Sequence, residues 1–393
     1  MSVNTMDFYQ VSTVLNDIVE QATGQKSIAP TTPNEWVAVA SRVTANGFDP
    51  ILNSITQVLG RTIFSNRPYS RRFRGLQVDE QIWGAITRKI VIADKPFEDD
   101  PRYELEDGQA IDHYTVNKPN VLQVNFYGAS IFEKSVTIFK DQLENAFRSP
   151  DEFGRFLSAL MQNVSDMVEK AHEEMARACI ANFIGGKVSA NNGVIHLLTE
   201  YNTLTGLTGA SALTASSVYQ PANFKPFMQW VYSRIEDLSS RMTERSELYQ
   251  INLTDYPVMR HTPREDQRVY LYAPAKAQID AMVLADAYHD NYLKLTDTEA
   301  VNFWQSIETP ASIQVKPTYL QADGTLVTPE NAVSVNNIFG VIFDRDAMGY
   351  TVMSTWQGVT PLNVKGGYWN QFYHFTDRYW NDFTEKGVVL LLD

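Results

Sequence analysis

A single cysteine, Cys179, is all the chain has. No intrachain disulfide can form, and in a helical apolar stripe this residue reads as a buried small hydrophobe rather than a nucleophile. No run of about 18 apolar residues is present, and Asp7, Asp17 and Glu20 interrupt the first apolar segment. Neither a membrane span nor a signal peptide is expected, and a cytosolic protein is. Positive charge is short as well. With 33 Lys and Arg against 46 Asp and Glu, the formal net charge is -13, which argues against general affinity for nucleic acid, because such binding rests on displacing counterions. Catalytic fingerprints are missing: there is no P-loop, G-x-G-x-x-G, G-x-S-x-G, H-E-x-x-H or C-x-x-C. The six histidines (His113, His172, His196, His261, His289, His374) are scattered, none at ligand spacing from another, and each is expected to be a hydrogen-bonded structural residue. Asp344 and Asp346 sit at a turn, where aspartate serves the backbone, so they do not read as a glycosidase pair. No catalytic residue, metal site or cofactor is expected.

What is present begins with size. A chain of 393 residues that is 44% hydrophobic can bury a large core and divide into two or three units. Its 19 Tyr and 20 Phe suit extensive packed or intersubunit surface. The organising stretch is Ser149 to Gly186. Ser149-Pro150-Asp151-Glu152 is a capping box, and apolar residues then recur at three- and four-residue steps from Phe153 through Leu160, Val164, Val168 and Met175 to Ala178. Asp166 and Lys170, and Glu173 and Arg177, are read as solvated pairs on the opposite face, and Gly185-Gly186 as the left-handed stop. A helix over 150–184 would be about 52 Å long, more than a small domain spans, and is read as a spine joining two lobes.

Upstream, Met6 to Ala22, Thr32 to Gly47 and Asp49 to Gly60 read as short helices. Arg67, Arg71, Arg72 and Arg74 then form a basic stretch, read as an ion-pairing surface for acidic protein more readily than as a nucleic-acid patch. Strands are expected over Ala85 to Ile92 and Val121 to Tyr127, flanking an acidic tip with Glu98, Asp99, Asp100, Glu104, Glu106 and Asp107. A two-stranded ribbon is not stable alone in water, so this one is expected to lie on another molecule. Asn191 to Ala222 reads as loop or irregular strand. A helix from Phe227 to Met242 follows, then strands at Val269 to Ala273, Ile313 to Val315 and Phe339 to Phe343, a turn through Asp344 to Asp346, an aromatic segment from Tyr368 to Phe383, and a buried strand from Val388 to Leu392. The closing aromatics have few cations beside them, so core and interface packing accounts for them better than base or sugar stacking.

The order of these parts resembles the Hong Kong 97 fold of tailed-phage major capsid proteins. Lys118-Pro119-Asn120-Val121, the run from Val341 to Tyr350 and Gly367-Tyr368-Trp369-Asn370 are similar to shell proteins of short-tailed phages. The resemblance implies an α+β chain with an N-terminal arm (1–84), an extended β-ribbon loop (85–130), a peripheral domain with the spine helix (131–226), an axial α/β domain (227–362) and return strands (363–393). It also implies a non-enzymatic shell protein of the virion, assembled in the host bacterial cytoplasm into hexamers and pentamers around double-stranded DNA that it does not read by sequence. Scaffolding, portal and cement or head-fibre proteins would be its other partners. The acidic tip lying over a neighbour's basic stretch is the expected intersubunit contact. An α+β enzyme with an unrecognised site and a carbohydrate-binding module remain the alternatives.

Overall fold

The computed structural model describes residues 72–78, 86–92, 105–111, 121–142, 150–254, 257–277 and 298–393, with residues 20, 35, 36, 100, 102, 114, 116 and 118 besides. In chain order the strands are β1 (Ile86–Ile92), β2 (Val121–Tyr127), β3 (Ser130–Phe139), β4 (Val194–His196), β5 (Gln267–Tyr272), β6 (Thr298–Val301), β7 (Ile313–Val315), β8 (Tyr319–Leu320), β9 (Leu326–Val327), β10 (Val333–Val335), β11 (Ile338–Asp344), β12 (Met348–Val359), β13 (Tyr368–Asn381) and β14 (Gly387–Leu391). The long helices are α1 (Pro150–Ser189), α2 (Leu197–Thr205) and α3 (Pro221–Thr243). The three short helices expected before residue 61 lie outside the described residues, apart from helical Glu20, Glu35 and Trp36.

The chain forms two compact units. The first contains residues 128–175 and 351–378 with the part before Gly84. Its sheet runs β12-β13-β3, and β13 pairs antiparallel with β3 from Tyr368 opposite Phe139 to Asp377 opposite Ser130. Strict alternation along β13 sends Trp369, Gln371, Tyr373, Phe375 and Asp377 inward, all buried. Tyr373 and Phe375 pack with Val164 of α1, backed by Phe132, Val136 and Val168.

The second unit contains residues 84–127, 176–350 and 379–393. Its sheet runs β4-β14-β11-β5-β6, antiparallel at β14-β11 and β11-β5 and parallel at β14-β4 and β5-β6. All of β11 and β14 is buried, as expected of strands covered on both faces. Phe227, Val231, Ile235, Leu238 and Met242 of α3 form one face and enter the core with Leu197 and Leu198 of α2, Ile342 and Leu390.

The structure departs from the sequence-based expectation in four places. First, α1 does not stop at Gly185-Gly186 but continues to Ser189. A Cβ on Gly185 would lie 2.7 Å from Val315 Cγ2, and one on Gly186 would lie 2.4 Å from the Phe383 ring, so both glycines permit close approach inside the helix. The stop is a Schellman motif: Asn191 adopts φ 46°, its N–H donates to Val188 O, and Asn192 N–H donates to Lys187 O. Second, the two sides of α1 are not divided as expected: Glu169, His172, Glu173 and Arg177 are buried, while Met167 and Ala178 of the apolar stripe are exposed. Arg177 donates to Phe303 O and lies 3.7 Å over the Phe303 ring. Lys170 instead pairs with Glu174 at 3.8 Å, in solvent. Third, residues 191–222, expected as loop or irregular strand, include the helix α2 beside the short strand β4. Fourth, the ribbon does not lie wholly on another molecule; one of its faces is seated on its own unit.

Candidate assembly surfaces

The ribbon is a plain antiparallel pair, in register from Ile86 opposite Tyr127 to Ile92 opposite Val121. Period-two alternation divides it into two faces. The inner face carries Lys89, Val91, Leu122, Val124 and Phe126. Leu122 packs with Val258, joined by Val91, Val124 and Leu253, and the Phe126 ring sits 6.1 Å from that of Trp380. The outer face carries Ile90, Ile92 and Val121, all exposed.

The polar part of the seat is a charge cluster. Lys89 Nζ lies 3.0 Å from Asp382 Oδ2 and also donates to Glu385 Oε1, which lies 3.2 Å from Arg260 Nη1. The turn after β13 presents these carboxylates: Asp382 Oδ1 accepts from Thr384 N–H at 2.9 Å and from its hydroxyl at 2.6 Å. Burial opposes the Lys89 ammonium, but the two carboxylates outweigh it and hold its pKa above the ordinary value. Burial raises the pKa of Glu385, with Lys89 and Arg260 opposing.

A fully buried lysine stands nearby. Lys187 Nζ donates to Tyr249 O at 2.8 Å and to Asn192 Oδ1 at 3.1 Å, and burial lowers its pKa to about 7, with Asp382 opposing. Lys386 Nζ donates to Glu244 O at 2.9 Å and Ser246 Oγ at 2.8 Å. Each ammonium taken into the core meets oxygen acceptors, as a buried charge must.

Of the residues expected at an intersubunit contact, Asp100, Glu106 and Asp107 are described at the tip, and Arg72 and Arg74 in the basic stretch. Arg67, Arg71, Glu98, Asp99 and Glu104 lie outside the described residues. Glu106 and Asp107 are exposed beside a tight turn in which Gln109 N–H donates to Glu106 O and Gly108 takes φ 88°. Asp100 is already engaged: Arg102, two residues on, grips both of its oxygens, and these hydrogen bonds lower its pKa. The tip therefore carries its own cation, a pairing the run of acids concealed. In the basic stretch Arg72 is exposed, while Phe73 and Leu76 are buried.

The remaining candidates serve structure. Cys179 is buried and its Sγ donates to Asn381 Oδ1 at 2.9 Å; burial pushes the thiol up to about 12. Asp344 is buried and accepts from Thr262 Oγ1 and Asp346 N–H, the turn role read from the sequence. His172 Nε2 lies 3.1 Å from Asp377 Oδ2, both buried. Among the described residues no His, Cys, Asp and Glu cluster could hold a metal ion, and no helix is long and apolar enough to cross a membrane.

A family model described as "Phi29-like phage major capsid protein" matches residues 15–389. In structure the chain is similar to one in the capsid of Staphylococcus phage Andhra, with TM-score 0.55 and 11% identity, covering 84% of this chain and 86% of that one. It is also similar to a chain in the structure of the head fiber and inner core protein gp22 of native bacteriophage P68, with TM-score 0.51 and 12% identity, covering 82% and 85%. At these identities the likeness speaks for the fold alone. A comparison with curated proteins by sequence finds no match.

Proposed function

The chain belongs to the family of Phi29-like phage major capsid proteins, and from that membership we propose how its copies are joined and what they enclose. It is a head-shell protein of the virion with the Hong Kong 97 type of fold. We assign the ribbon and its tip, residues 85–130, as the extended loop that reaches a neighbouring subunit within hexamers and pentamers. The acidic tip meets the basic stretch around Arg67, Arg71, Arg72 and Arg74 of that neighbour. Glu106 and Asp107, exposed at the turn, carry the contact among the described acids, because Asp100 is occupied by Arg102. Each exposed pair contributes only about 0 to 1 kcal/mol, but a closed ring repeats the set at every subunit.

The assembled shell encloses double-stranded DNA without reading its sequence, in keeping with the net charge of -13. Assembly takes place in the host bacterial cytoplasm with scaffolding and portal proteins, and cement or head-fibre proteins bind the finished shell. The protein performs no catalysis. The family match over nearly the whole chain carries this reading and does not favour an enzyme or a carbohydrate-binding module.

Negative-stain microscopy of the purified protein, alone and with a scaffold, should show sheets, tubes or shells built of capsomers. A strictly monomeric species under every assembly condition would count against the reading. Arg71→Glu, Arg72→Glu and Arg74→Glu together should leave the subunit folded and block assembly, with partial recovery when the tip acids are changed to lysine. An undiminished shell yield after the arginine changes would remove the proposed contact.

A further inference from the structure

The second unit holds an open cavity of about 660 Å³ whose walls are already fixed. Phe383 forms part of it and is stacked on Phe183 at 5.5 Å. The β8–β9 hairpin forms another wall and is tied down twice: Thr318 N–H donates to Asn182 Oδ1 at 3.0 Å, and Thr254 N–H donates to Ala322 O at 2.9 Å. Leu326 of that hairpin lines the cavity and is 64% exposed. The charge here is of one sign. Among the described residues no lysine, arginine or histidine lines the cavity, and of its two carboxylates Asp382 is held by Lys89 and Thr384. The other, Asp323, is exposed, and the hairpin turn uses its Oδ1, which accepts from the Thr325 N–H and hydroxyl. A fixed, largely apolar recess edged by an exposed carboxylate fits an apolar group with a cation beside it.

The same chain carries such a group. The turn between β12 and β13 presents Val364, 87% exposed, with exposed Lys365 next to it. No other large hydrophobic side chain among the described residues is so open. The turn is braced from both sides: Asn363 Oδ1 accepts from Gly366 N–H at 3.0 Å, Asn363 O accepts from Gly367 N–H at 2.7 Å, and Gly367 O accepts from Lys140 N–H at 2.8 Å. A braced tip loses little freedom on docking, which removes much of the ordering cost that a loose loop would bring.

We propose that Val364 and Lys365 of one copy enter this cavity on a second copy, with Val364 against Leu326 and Lys365 against Asp323. The inference rests on the shell reading above. A contact that is not self-complementary needs a projection and a recess at different places on one chain, and this pair supplies both without using the acidic tip or the basic stretch. Ile307 is also exposed, but Glu308 beside it would meet Asp323 with like charge.

The test is disulfide trapping in assembled particles, for which the chain is suited because its single cysteine, Cys179, is buried. Copies carrying Val364→Cys and copies carrying Leu326→Cys are assembled together, oxidised mildly, alkylated and separated by electrophoresis without reductant. A covalent dimer should form in the mixed particles, and none in unassembled mixtures or in particles of either variant alone. Ile307→Cys mixed with Leu326→Cys controls for chance collision and should give none. Shells that form without a dimer between positions 364 and 326, or with as much dimer from Ile307→Cys, would overturn the inference and leave the shell reading standing. Wild-type protein that forms no particle under any condition would overturn the shell reading, and the inference with it. Where a cysteine variant does not assemble, a charge exchange decides. Lys365→Glu and Asp323→Lys should each lower shell yield and together restore it; unchanged yield in both single variants, or no recovery in the double, would overturn the contact.

Discussion

Lys187 shows how much one buried charge can determine. Its folded-state pKa of about 7 lies below the ordinary 10.5, so between those values the unfolded chain binds a proton that the folded chain does not. Stability from this group must therefore rise with pH across that window, by up to about 1.4 kcal/mol per pH unit. Comparing urea unfolding of the wild type and Lys187→Met from neutral pH to about pH 10 isolates the effect. The wild type should gain stability relative to the variant as pH rises, and parallel curves would show that Lys187 does not titrate in the window. Nothing in the sequence marked this residue. A lysine two positions before the end of a helix ordinarily reads as a cation favouring the helix dipole, and only the fold shows that Tyr249 O and Asn192 Oδ1 wait for it in the core.

At the scale of an element, α1 was legible in its existence and its start, because period and capping chemistry are local properties; of the apolar stripe read for it, Val164 is buried but Met167 and Ala178 are exposed. Its end and its polar side were not. A glycine pair after a long stripe has two physical uses, a left-handed turn or room for a neighbour, and both require the missing Cβ. The neighbours here, Val315 and Phe383, are more than 120 residues away in sequence. This yields an opposed-effects test in Gly186→Ala. Helix propensity alone favours alanine by about 1 kcal/mol, whereas overpacking a filled core costs about 1 to 3 kcal/mol. The Phe383 ring is buried and stacked on Phe183 at 5.5 Å, so it cannot move aside cheaply. The variant should lose on the order of 1 kcal/mol in thermal or urea unfolding, and a gain would return the glycines to a purely local role. The ribbon divides in the same way. Its strands were readable from alternation, but alternation does not say which face meets protein, and the Lys89 socket is formed by residues nearly 300 positions later.

For the molecule as a whole, the sequence supported a shell protein through the order of its parts rather than through any single residue, since no part is a chemical fingerprint. The proposed intersubunit contact was less legible. A count of acids at the tip overlooked Arg102, which holds Asp100 within the same segment.

One topological feature also has a consequence in time. Strand β14, made of residues 387–391, is not an edge; it lies between β4 and β11 in the middle of the sheet. A ribosome delivers its chain in order, so the sheet of the second unit keeps a gap between β4 and β11 until residues 387–391 have been made. A polypeptide released early keeps β11 and β4 unpaired on facing edges and cannot close its core. A chain ending before residue 387 should therefore fail to fold its second unit and so fail to enter a shell.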